Sequence, residues 1–135
     1  VGFCRSNQYG VNFDKYFDKY FVEAQSPIVV AMIENKKGLE NINSIISCKG
    51  LDALMIGPYD LSASLDCCGD FNNERFLEAI NKIQMTAQSN NIPTGIHIIK
   101  PEFSQIKHEI DRGHLFIAYS LDSVILSDAF KNHGN

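Results

Sequence analysis

Apolar residues along the chain fall into two alternating patterns. Four short runs are apolar at nearly every position: Ile28 to Ile33, Leu54 to Ile56, Thr94 to Ile99 and Leu115 to Tyr119. Runs of that length, without alternation, predict strands of a parallel sheet covered on both faces. Between them the apolar residues recur at helical spacing. Asn12 to Ala24 carries Phe13, Tyr16, Phe17, Tyr20, Phe21 and Ala24; Gly38 to Ser47 carries Leu39, Ile42, Ile45 and Ile46; Asn72 to Gln88 carries Phe76, Ile80, Ile83 and Ala87. Pro101 opens a further helix through Ile110, and Asp122 caps a last one bearing Val124, Ile125, Ala129 and Phe130. The punctuation agrees: Ser26-Pro27 stops the first helix, Lys49-Gly50 closes the second, and Asn72 or Asn73 caps the third. The predicted order is a helix followed by four βα units, an α/β fold. Four such units are half of a (β/α)8 barrel, whose usual length is about 250 residues; a small open parallel sheet is the alternative.

The totals narrow the class. At 135 residues the chain has room for one domain with a real core, so residues 1–135 read as a single partial domain. A formal net charge of −4, with no Lys/Arg cluster, argues against nucleic-acid binding. No apolar run approaches the roughly 20 residues of a membrane span, and no secretory leader is visible, so a cytoplasmic location is expected. Cys4, Cys48, Cys67 and Cys68 follow no zinc spacing and read as free thiols. The opening Val1-Gly2-Phe3 resembles the inside of a strand, which suggests an excerpt of a longer protein.

Two acids carry the candidate chemistry. Glu34 ends the run from Ile28, and Asp60 ends the run Leu54-Met55-Ile56-Gly57-Pro58-Tyr59-Asp60. A carboxylate at the end of a buried strand is costly unless something pairs with it, and in parallel α/β proteins that edge is where ligands bind. The acids are 26 residues apart, one βα unit, which predicts equivalent strand ends and a small oxygen-rich site for a hard divalent cation. Gly57 lets the backbone approach a ligand, and Ser62-Ala63-Ser64 offers amides and hydroxyls for a carboxylate or phosphate. The plainer reading of the same stretch is a strand, a Gly-Pro turn and a short capped helix with no ligand.

These residues also carry a resemblance. Met32-Ile33-Glu34-Asn35, Gly38-Leu39-Glu40-Asn41-Ile42 and Gly57-Pro58-Tyr59-Asp60-Leu61-Ser62-Ala63-Ser64 at this spacing resemble the HpcH/HpaI aldolase family. The likeness continues through Gly95-Ile96-His97 and Ile117-Ala118-Tyr119-Ser120-Leu121-Asp122, and covers the C-terminal half of the family's barrel. It implies a metal-dependent, class II aldolase acting on 4-hydroxy-2-oxo acids, with Mg²⁺ or Mn²⁺ held by Glu34 and Asp60. The substrate would lie against Gly57, Pro58, Tyr59 and Asp60, its carboxylate on backbone amides around Tyr59 and Asp60. A pyruvate enolate and an aldehyde would be the cleavage products, and the complete protein would be a homo-oligomer.

The chain departs from the family pattern in two places. Many members have Gln where Met32 stands, and the family's general-base His and keto-binding Arg lie in the half not represented here. Those roles do not pass to His97, His108, His114, His133 or Arg5; His97, on a strand, reads as a barrel-lining residue with a satisfied ring. The 135-residue chain alone is therefore expected to lack aldolase activity. Rival readings are a Schiff-base lysine at Lys100, an acyl-CoA lyase of the citrate lyase β type, and a non-catalytic half-barrel remnant or assembly module.

Overall fold

The structure, a computed structural model, describes residues 26–100 and 102–133. The helix expected over Asn12 to Ala24, the strand-like start at Val1 to Phe3, Cys4 and Pro101 lie outside the described residues. Four strands, β1 (Val30–Ile33), β2 (Ala53–Ile56), β3 (Thr94–Ile98) and β4 (Phe116–Tyr119), form one parallel sheet in sequential order. The helices between them are α1 (Lys36–Glu40), α2 (Ile42–Ile46), α3 (Pro58–Ser64), α4 (Glu74–Ser89) and α5 (Phe103–Asp111), and α6 (Asp122–His133) follows β4. This is the repeat of half a (β/α)8 barrel.

Alternation along each strand sends successive side chains to opposite faces, and parallel register keeps paired residues on the same face. Ile33, Leu54, Ile56 and Ile96 point to the helices, where they meet Ile42 and Ile46 of α2, Leu61 of α3 and Phe76, Ile80, Ile83 and Ala87 of α4 in one core. Each isoleucine or leucine fully buried there contributes roughly 1.5–3 kcal/mol. The opposite face carries Val30, Met32, Met55, His97, Phe116 and Ala118. It is open: Val30 and Met32 are exposed on it.

Three elements differ from expectation. The helix predicted over Gly38 to Ser47 is two short helices broken at Asn41, which leaves helical geometry at φ −97° and ψ 14°. The first of them starts earlier than its apolar period, because Asn35 caps it by accepting the Gly38 N–H at 2.8 Å. Asp122 is the first residue of α6 rather than the cap before it. Asn73, by contrast, caps α4 through the Arg75 N–H as read.

Candidate metal and substrate site

Glu34 immediately follows β1, half-buried. The Gly57 N–H donates to Ile33 O at 3.2 Å, extending the β1–β2 ladder by one step. The residue level with Glu34 is therefore Gly57. A Cβ on Gly57 would lie 3.1 Å from Glu34 Cβ, 3.5 Å from Met32 Sδ and 3.7 Å from Glu34 Oε2. The Glu34 carboxylate thus lies against a position left bare by the absence of a side chain.

Asp60 does not end a strand, contrary to the expectation drawn from spacing. β2 stops at Ile56, Gly57 serves as N-cap and Pro58 opens α3, so Asp60 sits exposed in the first turn of that helix. The physical reason is the Gly-Pro pair: proline's fixed φ suits a first helical position, and its missing N–H would interrupt a ladder. Gly57 and Pro58 are buried, Pro58 has no N–H to offer, and Tyr59 stacks edge-on against Phe71 with ring centroids 5.0 Å apart. The N–H groups of Tyr59 and Asp60 lie in the turn where a helix has no internal acceptor, and the first intrahelical bond runs from Leu61 N to Gly57 O.

The two serines are not free to bind a ligand. Ser62, fully buried, donates its hydroxyl to Tyr59 O at 2.8 Å and accepts the Gly69 N–H at 3.0 Å. Ser64 donates to Leu61 O at 2.9 Å and accepts the Lys36 N–H at 2.9 Å. These hydroxyls clamp α3 to the 66–69 loop and to the start of α1. The second clamp ties the segment after Glu34 to the helix that carries Asp60.

The neighbouring inner-face positions complete the surroundings. Continuing the register, the layer containing Glu34 and Gly57 also contains His97 and Ala118. One layer below, the Phe116 ring lies across Gly95, whose missing Cβ would fall 2.3 Å from it. His97 Nε2 is 3.2 Å from Ser120 O, so this nitrogen carries the proton; the satisfied ring of the barrel-lining reading is met at that nitrogen alone, since Nδ1 has no partner among the described residues. Lys100 is exposed beyond β3. A cleft of about 730 Å³ runs between α4 and α5 past Pro58, Tyr59, His97 and Lys100; it shares those residues with the candidate site, but Glu34 and Asp60 do not line it.

A buried polar cluster at the other end of the sheet had no signal in the sequence beyond a lone histidine before a strand. His114 is almost fully buried, with Gln84 Nε2 3.2 Å and Glu109 Oε2 3.5 Å from its Nε2. The amide nitrogen can only donate, so Nε2 accepts and no ion pair with Glu109 forms. Burial, and then the Arg112 guanidinium, lower the His114 pKa, against an opposing pull from the Thr94 backbone.

Among the described residues no three His, Cys, Asp or Glu side chains gather into a metal cage. The Glu34 carboxylate beside bare Gly57, with Asp60 exposed in the first turn of the helix that follows, is a donor set of the kind Mg²⁺ accepts, since that ion commonly takes one or two protein carboxylates and keeps several waters. The model of one family, described as HpcH/HpaI aldolase/citrate lyase, matches residues 3–129. The chain belongs to this family. Among HpcH/HpaI relatives, the 5-keto-4-deoxy-D-glucarate aldolase of Escherichia fergusonii is 29% identical over 135 residues, covering 94% of this chain and 50% of that protein. The chain thus spans about half the length of the curated relatives it matches. A solved HpcH/HpaI aldolase from Desulfitobacterium hafniense superposes with a TM-score of 0.73 at 24% identity, over 91% of this chain and 46% of that one. An HpcH/HpaI aldolase/citrate lyase family protein from Burkholderia cenocepacia gives 0.75 at 23% identity, over 98% and 49%. The half-barrel and the family are thus as the resemblance implied.

Proposed function

We propose that the protein carrying this chain is a divalent-metal-dependent aldolase that cleaves and forms 4-hydroxy-2-oxo acids through a pyruvate-type donor. The observation that carries this reading is the Glu34 carboxylate laid against bare Gly57 at the mouth of α3, whose first turn presents Asp60. Glu34 and Asp60 would hold Mg²⁺ or Mn²⁺. When bound, such a cation offsets the negative charge that gathers on the oxo-acid oxygens as the C3–C4 bond breaks.

The chain's own residues orient the substrate. Tyr59 and Asp60 present unpaired N–H groups at the positive end of α3, where a substrate carboxylate is favoured. Gly57 leaves room for the oxo acid beside Glu34. Phe116, lying over Gly95, places an apolar ring one layer below on the next strand. The Ser64–Lys36 clamp keeps the segments bearing the two acids in fixed relation. The family description also includes citrate lyases, and an acyl-CoA substrate would use the same carbanion stabilisation; cleavage of an acyl-CoA in place of a 4-hydroxy-2-oxo acid would favour that alternative.

Mn²⁺ binding tests the reading. Calorimetry on the wild-type protein, Glu34→Gln and Asp60→Asn should show affinity falling by about tenfold or more in each variant, at least what loss of an outer-sphere partner costs. Equal affinities in all three would refute it.

A further inference from the structure

We propose that His97 is a specificity-determining residue of this site, its Nδ1 accepting a hydrogen bond from a hydroxyl on the aldehyde-derived half of the substrate. This rests on the aldolase reading above and adds the class of aldehyde. The register places His97 in the same inner-face layer as Glu34, with only Gly57 between them. His97 therefore stands one strand beyond the bare position, about 4.8 Å from it and on the side away from Glu34. A substrate whose oxo-acid end sits at Glu34 and α3 thus passes over Gly57 and brings the carbons beyond the scissile bond to His97.

The ring's chemistry is set by its backbone tether. Ser120 O accepts from Nε2 at 3.2 Å, so in neutral His97 the lone pair is on Nδ1. Ser120 is itself locked: its N–H donates to Ile98 O at 2.6 Å and its backbone sits at φ 59°, the left-handed region a serine seldom adopts. The carbonyl that holds His97 is thereby fixed by an unusual turn at the end of β4. Nδ1 has no hydrogen bond among the described residues, and His97 is only half-buried. Its neighbours in the layer, Gly57 and Ala118, are small. Beneath it are apolar groups, Met55 and Phe116, which offer a polar substrate nothing. Among the described residues of this part of the layer, Nδ1 is an acceptor without a partner, and an aldehyde bearing a hydroxyl beside its carbonyl supplies the donor.

The test uses the full protein carrying this chain, in wild-type form and as His97→Leu and His97→Asn. Pyruvate addition is measured with glycolaldehyde and with acetaldehyde, which differ by one hydroxyl. In parallel, Mg²⁺-dependent exchange of the pyruvate methyl protons in D2O is followed by NMR. Wild type should prefer glycolaldehyde by about tenfold in kcat/KM, the weight of one hydrogen bond to a half-buried group. His97→Leu should lose that preference through KM for glycolaldehyde, His97→Asn should keep part of it, and pyruvate exchange should persist in all three. Preference unchanged in His97→Leu, or absent in wild type, overturns the inference while leaving the aldolase reading intact. Loss of exchange in both folded variants also overturns it, since His97 would then serve the pyruvate half. Absence of exchange in wild type instead overturns the aldolase reading itself.

Discussion

Gly95→Ala should destabilise the fold because of one neighbour, Phe116. A Cβ at Gly95 would lie 2.3, 2.4 and 2.6 Å from three atoms of the Phe116 ring. Carbon atoms in contact settle near 3.5–4.0 Å, so the ring must move by about 1 Å or more. Overpacking of this kind costs typically 1–3 kcal/mol. Gly95 is not among the glycines with positive φ, so alanine itself brings no backbone strain there. It would reduce the freedom of the unfolded chain, a gain of about 0.4–1 kcal/mol. The net expectation is a loss of about 1–2 kcal/mol, or roughly 0.5–1 M in urea midpoint at a slope near 2 kcal/mol/M. In a Phe116→Ala background the clash is gone and Gly95→Ala should be neutral or mildly stabilising. Urea unfolding of the four members of this cycle should therefore give a coupling of at least 1 kcal/mol between the sites. Additivity within about 0.5 kcal/mol would show that the ring does not occupy the space over Gly95.

Two further outcomes follow from buried polar groups. Ser62→Ala removes a hydroxyl that serves Tyr59 O and Gly69 N at once, leaving both without that partner; unfolding should show a loss of about 1–3 kcal/mol, and no loss would mean that the clamp on α3 is not made. His114 titrates below its ordinary value of 6.5 in the folded protein, so below that pH the unfolded chain binds more protons than the folded one. Stability should be full above pH 6.5 and fall as the pH drops toward the lowered folded value; His114→Gln should flatten that part of the Tm profile, and parallel profiles would rule out His114 as the cause.

The strands were legible because burial on both faces leaves unbroken apolar runs, and Glu34 was legible because an acid ending such a run is costly. Asp60 was misplaced for an equally physical reason. Chain spacing counts residues, whereas level on a sheet is set by register, and the Gly57-Pro58 pair turns the chain into a helix before Asp60 is reached. The serines of Ser62-Ala63-Ser64 looked like ligand groups because composition cannot tell a hydroxyl facing a substrate from one facing a carbonyl. The split of α1 from α2 at Asn41 was hidden because the apolar residues keep helical period across the break. The placement of His97 level with Glu34 depends on pairings across three strands, which no local pattern encodes.

The contact between Ser64 and Lys36 has a consequence in time as well as in space. The Lys36 amide proton points at Ser64 Oγ on a different βα unit. Its exchange with deuterium requires that contact to open, because a bonded amide is protected until it opens. That single proton is a clock for how often the contact between the segments bearing Glu34 and Asp60 opens. A ligand that bridges the two acids should slow the clock without touching the amide it reads.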